Sequence, residues 1–85
     1  MEIIFSPSAI NDLAYWKNVN NPKMLDRITS LLQSIQDDPF HGIGKPEPLK
    51  HHLSGAWSRR INKEHRILYT ITAGAITVHS LREHY

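Results

Sequence analysis

Glu47, Arg66 and His84 supply a carboxylate, a guanidinium and an imidazole. These are the group types that cleave an RNA phosphodiester without a metal. One group takes the proton of the ribose 2′-hydroxyl, a cation bears the charge that builds on the phosphoryl oxygens, and an acid protonates the departing 5′-oxygen. Such a substrate brings its own nucleophile, which suits a chain with no cysteine and no serine in a nucleophile-elbow setting. On residue types alone a plainer assignment stays open. Glu47 is then a loop carboxylate paired to Lys50, Arg66 a surface charge at a strand edge, and His84 part of a frayed terminus.

The surroundings of these groups favour an anion. The stretch from Lys45 to Arg66 holds six of the ten Lys and Arg residues, Lys45, Lys50, Arg59, Arg60, Lys63 and Arg66, against Glu47 and Glu64. Its local charge is +4 in a chain of net charge +2, the footprint of a polyanionic partner. Other chemistries find little support. The six histidines show no H-E-x-x-H and no acidic ligand at a useful offset, so no metal and no cofactor are expected. Gly42-Ile43-Gly44-Lys45 lacks the full spacing of a phosphate loop and reads as a connector.

With 85 residues, 40% hydrophobic and 21% charged, the chain is expected to form a single domain, 1–85, around one modest core. The absence of cysteine fits a reducing compartment. The start, M-E-I-I-F-S-P-S, has an acid where a signal peptide carries bases, and no run reaches the ~20 apolar residues of a membrane span. A cytoplasmic protein is the expectation.

The elements that must position the chemistry follow from periodicity. Glu2 to Phe5 reads as a strand, and Ser6-Pro7-Ser8 starts a helix to about Asn18 whose apolar side is Ile10, Leu13, Ala14 and Trp16. Asn21-Pro22 caps a second helix with Met24, Leu25, Ile28, Leu31, Leu32 and Ile35 at helical spacing. Asp37-Asp38-Pro39 ends it, and residues 39–48, with three prolines and two glycines, form an irregular ordered loop. Leu49 to Leu53 pairs weakly at most. Ala56 to Ile61, His65 to Ile71 and Ala75 to Leu81 are then strands joined by tight turns. The fold class is α+β: one strand, two helices and an antiparallel meander, with the helices on one face. On the central strand Ile67, Tyr69 and Ile71 go toward the helices, so Arg66, Leu68 and Thr70 face the open side.

K-P-E-P-L-K-H at Lys45 to His51, L-S-G-A-W-S-R-R-I at Leu53 to Ile61, E-H-R-I-L-Y at Glu64 to Tyr69 and the terminal H-Y together resemble the YoeB (Txe) toxins of the RelE-like toxin–antitoxin systems. The resemblance implies a RelE-like, microbial-ribonuclease-like fold and an mRNA endonuclease working in the ribosomal A site. It implies Glu47 as general base, Arg66 as the phosphate and transition-state cation, His84 as general acid and Tyr85 as a positioning or stacking residue. Lys45, Lys50 and Arg60 would hold RNA backbone, with help from Arg59. A YefM-like antitoxin is the implied partner, in a homodimer or a toxin–antitoxin heterocomplex. Ile10, Leu13 and Glu83 depart from aromatic or small residues common in relatives. The rival from another class is a non-catalytic ParE-like toxin that binds DNA gyrase, which has no reason to keep Glu47, Arg66 and His84-Tyr85 together.

Overall fold

Two proline-led helices and a mixed sheet make up the chain, in a computed structural model that describes residues 1–83. His84 and Tyr85 lie outside the described residues. Strand β1 (Glu2–Phe5) runs into helix α1 (Pro7–Asn18), where the Ser6 hydroxyl accepts the Ala9 N–H at 3.1 Å and Pro7 takes the first turn. Helix α2 (Pro22–Asp37) is built alike, with the Asn21 side chain accepting the Met24 N–H at 3.2 Å. Each cap satisfies one N–H that a helix start otherwise leaves orphaned.

Strands β2 (Glu47–Pro48), β3 (Trp57–Arg60), β4 (Arg66–Thr72) and β5 (Ala75–Glu83) follow. The sheet order is β1-β5-β4-β3-β2. The late strands form the expected antiparallel meander, while β1 pairs in parallel with β5, Glu2 opposite Ala75 through Phe5 opposite Val78. The weak pairing expected for Leu49 to Leu53 falls earlier, on Glu47–Pro48, and 51–53 is a 3-10 turn.

The helices cover one face. Ala9, Trp16, Met24, Ile28, Leu31 and Ile35 are buried against Ile61, Ile67, Tyr69, Ile76, Val78 and Leu81. For α2 the buried set matches the expected stripe. In α1 the face is instead Ala9, Leu13 and Trp16, and Ile10 is 56% exposed with Ala14 also outside. The reason lies in Asp12, whose carboxylate turns inward to accept the Leu81 N–H at 2.8 Å.

That bond belongs to a substitution of side chains for a strand. β1 stops beside Val78, with the Ser6 N–H bonding the Val78 carbonyl at 2.9 Å and the Ser6 hydroxyl donating to the His79 carbonyl at 3.0 Å. Beyond that point, among the described residues, β5 has no neighbouring strand on this side. Asp12 and the Trp16 indole, which donates to the Leu81 carbonyl at 2.9 Å, satisfy its backbone in place of a strand. The His65 ring stacks edge-on against Trp16 at 4.9 Å and contacts the Arg82 carbonyl, while the Arg82 guanidinium covers the Tyr15 ring at 3.4 Å. Helix α1 thereby fixes the strand that leads to the C-terminal residues.

Arg59 corrects an expectation. It lies on the helix side of β3, fully buried, and is not available to RNA. All five of its N–H donors are used: Nε to the Tyr69 hydroxyl at 3.0 Å, Nη1 to the Ser34 hydroxyl at 2.7 Å and the Ile43 carbonyl at 3.2 Å, and Nη2 to the carbonyls of Asp38 at 2.6 Å and His41 at 3.1 Å. The Tyr69 hydroxyl in turn donates to the Pro39 carbonyl at 2.6 Å. The irregular loop after α2 is thus wrapped around one guanidinium. Gly44 lets it approach, since at its φ of +82° a Cβ would meet Leu31 Cδ2 at 2.6 Å.

Removing this hub should be costly. Arg59→Met leaves several buried acceptors unpaired at ~1–3 kcal/mol each, so a loss of at least ~3 kcal/mol is expected in urea unfolding, and Arg59→Lys, with a point charge for a fork, should recover only part. A loss under ~1 kcal/mol would contradict the role given to it. Burial also pushes the Tyr69 phenol above its ordinary value of 10. The raised value belongs to the folded state, so its contribution is complete below pH 10 and is lost as pH rises through the folded value. Tyr69→Phe should therefore cost ~1–3 kcal/mol at neutral pH and show a shallower decline above pH 10 than the unsubstituted protein.

Candidate active site on the open face of the sheet

The face turned away from the helices carries the polar side chains that sequence alternation assigned to it. Cross-strand register arranges them in rows. Arg60 on β3 lies opposite Arg66 on β4, which lies opposite Glu83 on β5. In the next row Glu47 on β2 faces Ser58, which faces Leu68, which faces Ser80.

Glu47 reaches diagonally between rows. Its Oε2 is 3.6 Å from Nη1 of Arg66, with side-chain exposures of 61% and 19%. The carboxylate thus pairs with Arg66, where the plainer sequence assignment put Lys50. Two residues separated by 18 others are brought together, one from an edge strand and one from the start of a central strand. The tie between edge and centre runs through the loop around Arg59. From there the Gly44 carbonyl accepts the Arg60 N–H at 2.7 Å, and Lys45, at a φ of +54°, leads the chain through Pro46 into β2.

Around this pair the charge is positive. Lys45, Lys50 and Arg60 are exposed, Lys50 at the start of the 3-10 turn. Arg60 directly opposite Arg66 is unfavourable for stability, because like charges facing each other across strands repel. Two arginines opposite each other across strands, with the exposed Glu47 carboxylate paired to Arg66, suit an anion. The Ile43 N–H of the Gly42–Lys45 segment is turned to the Ser34 hydroxyl and not to this face. The segment's Ile43 carbonyl accepts from the Arg59 guanidinium and its Gly44 carbonyl from the Arg60 N–H, the reverse of a phosphate loop.

Of the residues named from sequence, Glu47, Arg66, Arg60, Lys50 and Lys45 lie on or beside the open face, and Arg59 does not. His84 and Tyr85 fall outside the described residues, two and three positions after Arg82. Sequence reasoning passed over three features. Ser58, fully buried between Glu47 and Leu68, has a hydroxyl with no partner among the described residues. His79 and Thr70 also line this side, with Thr70 Oγ1 and His79 Nε2 2.9 Å apart. The alternation of β4 already placed Thr70 here, and that of β5 places His79 here, since Ile76 and Val78 go into the core.

Strand, two helices and an antiparallel run closed by a parallel first strand, with charge on the uncovered face, define a RelE/YafQ-like toxin fold. A YafQ structure from E. coli shares that fold at 13% identity with a TM-score of 0.79, covering 96% of this chain and 91% of that one. A family model described as "YoeB-like toxin of bacterial type II toxin-antitoxin system" matches residues 5–85. The chain belongs to that family. "Toxin YoeB" of Synechocystis is 51% identical over 85 residues, all of this chain and 98% of its relative. A YoeB/ParE toxin from Agrobacterium tumefaciens superposes with a TM-score of 0.94 at 36% identity, each chain covered completely. A YoeB–YefM complex from Staphylococcus aureus does so at 0.89 and 46%, covering 100% of this chain and 98% of that one, and a YoeB dimer from the same organism at 0.90 and 45%, with the same coverage.

The geometry of the Glu47–Arg66 pair predicts little structural value for it. An ion pair this exposed is worth at most ~1 kcal/mol, so Glu47→Gln should leave the urea midpoint nearly unchanged. A loss of several kcal/mol would make the pair a structural one instead.

Proposed function

We propose that the protein is a ribosome-dependent mRNA endoribonuclease, an mRNA interferase, that cuts mRNA in the ribosomal A site and so stops translation. The observation that carries this reading is the meeting of Glu47 and Arg66 at 3.6 Å on an exposed cationic face, a geometry expected to add little to stability. Membership of the YoeB-like toxins supports it.

In the proposed reaction Glu47 removes the proton of the ribose 2′-hydroxyl as that oxygen attacks phosphorus. Arg66 binds the non-bridging oxygens and takes up the charge that grows on them. The bond from phosphorus to the 5′-oxygen breaks, and His84 protonates the leaving oxygen. The products are a 2′,3′-cyclic phosphate and a 5′-hydroxyl, so atoms and protons balance without a metal or cofactor. Tyr85 positions the substrate or stacks on it, and Lys45, Lys50 and Arg60 hold backbone phosphates. The setting is the bacterial cytoplasm, where ribosomes are the substrate's carrier. No helix among the described residues is long and apolar enough to cross a membrane.

Regulation follows the same family logic. The Staphylococcus aureus relative was solved with YefM and as a dimer, and a YefM-like antitoxin in a heterocomplex, with a homodimer as the free form, is the arrangement proposed for this chain.

Primer extension on translated mRNA tests the reading directly. Expression of the unsubstituted protein should create new 5′ ends at codons, and His84→Ala should abolish them. Single-turnover cleavage on loaded ribosomes should fall ~10²- to 10⁴-fold in Glu47→Gln. Growth arrest without new ends, equal in all three proteins, would favour the gyrase-binding alternative.

A further inference from the structure

Two residues beyond Arg66, on the same side of β4, the sheet surface dips into an open cleft of about 250 Å³. Its floor is Leu68 and Ala56, both buried. His52, Leu53 and Ser54, in and just after the 3-10 turn that follows Lys50, form one rim, and Thr70 with His79 closes the other. Continuing the β3–β4 register places Ala56 opposite Thr70.

His79 is on this rim by strand alternation, since Ile76 and Val78 on either side of Thr77 go into the core. Leu68 pairs with Ser80 and Tyr69 with Val78, so the register slips by one residue here, setting Ser80 on the same face as His79 and returning Leu81 to the core. His79 Nε2 lies 2.9 Å from Thr70 Oγ1. The reaction proposed above uses none of these side chains.

Size, chemistry and place define what fits. The cleft is smaller than the ~300–1,000 Å³ of pockets for drug-sized ligands, which suits a single heterocycle. An apolar floor edged by two imidazoles and two hydroxyls is the surface on which unstacked bases settle, by stacking and by bonds to their edges. Leu68 lies two strand residues from Arg66, ~7 Å at the usual rise, about the length of one nucleotide in an extended single strand. The cations stand apart from the cleft: Lys50 immediately before its turn, Arg66 and Arg60 along the strands. This separates a phosphate track from a base pocket.

We propose that the cleft takes the nucleobase of the nucleotide next to the phosphate held at Arg66, and that His52, Leu68 and His79 thereby set which base is accepted. The inference rests on the RNA-cleaving reading of the neighbouring site. Because a hydroxyl both donates and accepts, the Thr70–His79 pair accommodates either tautomer of the ring. Selection in the cleft is therefore by ring shape and stacking more than by a fixed donor pattern.

Two variants and two readouts test it. His52→Ala lies on an exposed turn, and His79→Val keeps a residue suited to a strand; thermal melting establishes that both are folded. Stacking of a base is worth roughly 5- to 150-fold in affinity, so each variant should lower kcat/KM at favoured sites toward the smaller of these factors. Each should also broaden the base distribution at one position beside the cut. Independently, titration with the four nucleoside 3′-monophosphates should shift the amide resonances of Leu53, Leu68 and His79, less so in the variants. Cleavage with an unchanged base distribution in both variants, and no such shifts, overturns the subsite while leaving the nuclease reading intact. Shifts without cleavage keep the base pocket and overturn the nuclease reading. Neither shifts nor cleavage overturns both, and shifts produced only by an antitoxin peptide assign the cleft to protein docking and overturn the proposal.

Discussion

The fold turns on a buried guanidinium. Arg59 gathers a helix side chain, three loop carbonyls and a core phenol around its five N–H groups, and it does so on the face where β3 meets α2. A charge taken from water with no carboxylate among these partners is tolerated only because each donor is matched. The benefit is positional. The segment between α2 and β2 is too rich in proline and glycine to organise itself, and it has few apolar residues to bury. Anchored at Asp38, His41 and Ile43, it delivers Glu47 to the edge of the sheet with little freedom left. The Asp38 carboxyl reinforces the turn, held below its ordinary value chiefly because the Phe40 N–H donates to it, with the His41 ring adding to the effect.

The two faces of the sheet therefore answer to different demands. On the helix side nearly every polar group has a partner, and even the backbone of β5, once β1 has ended, is completed by Asp12 and Trp16. On the open side Arg60 lies opposite Arg66, one buried hydroxyl is unpartnered among the described residues, and a cleft opens to solvent. Stability is concentrated where the helices lie, which permits strain to be kept where a ligand can relieve it.

Much of this was legible in order and spacing. Ser6-Pro7 and Asn21-Pro22 announced both helices, and the α2 stripe gave its buried face residue by residue. The alternation of β3 carried more than was read from it: Trp57, Arg59 and Ile61 share a side, and since Trp57 and Ile61 go inward, Arg59 had to follow. Its positive charge outweighed its phase, because buried arginines are rare and a matching set of carbonyls is invisible before the loop is folded. The parallel pairing of β1 with β5 was also hidden, since its partners lie more than 70 positions apart and no turn links them. Ile10 misled because Asp12, a charged residue at a core-facing phase, had a backbone to bond that only the tertiary fold supplies. Glu47 and Arg66 were named from chemical type and family likeness; neither indicated that they would touch.

The weakness of that contact suits the proposed reaction. At 3.6 Å, with Glu47 mostly in solvent, the attraction is on the order of 1 kcal/mol. A phosphodiester carries a full negative charge and offers Arg66 two oxygens in the planar arrangement that a guanidinium prefers. It can therefore displace the carboxylate at small cost. The same exchange leaves Glu47 beside the incoming ribose with its lone pairs unengaged, and it places an anion between Arg60 and Arg66, whose mutual repulsion it relieves. A tighter pair would have stabilised the free protein and obstructed its substrate. In the proposed reaction an exposed, slightly long ion pair keeps Glu47 and Arg66 in register until RNA separates them.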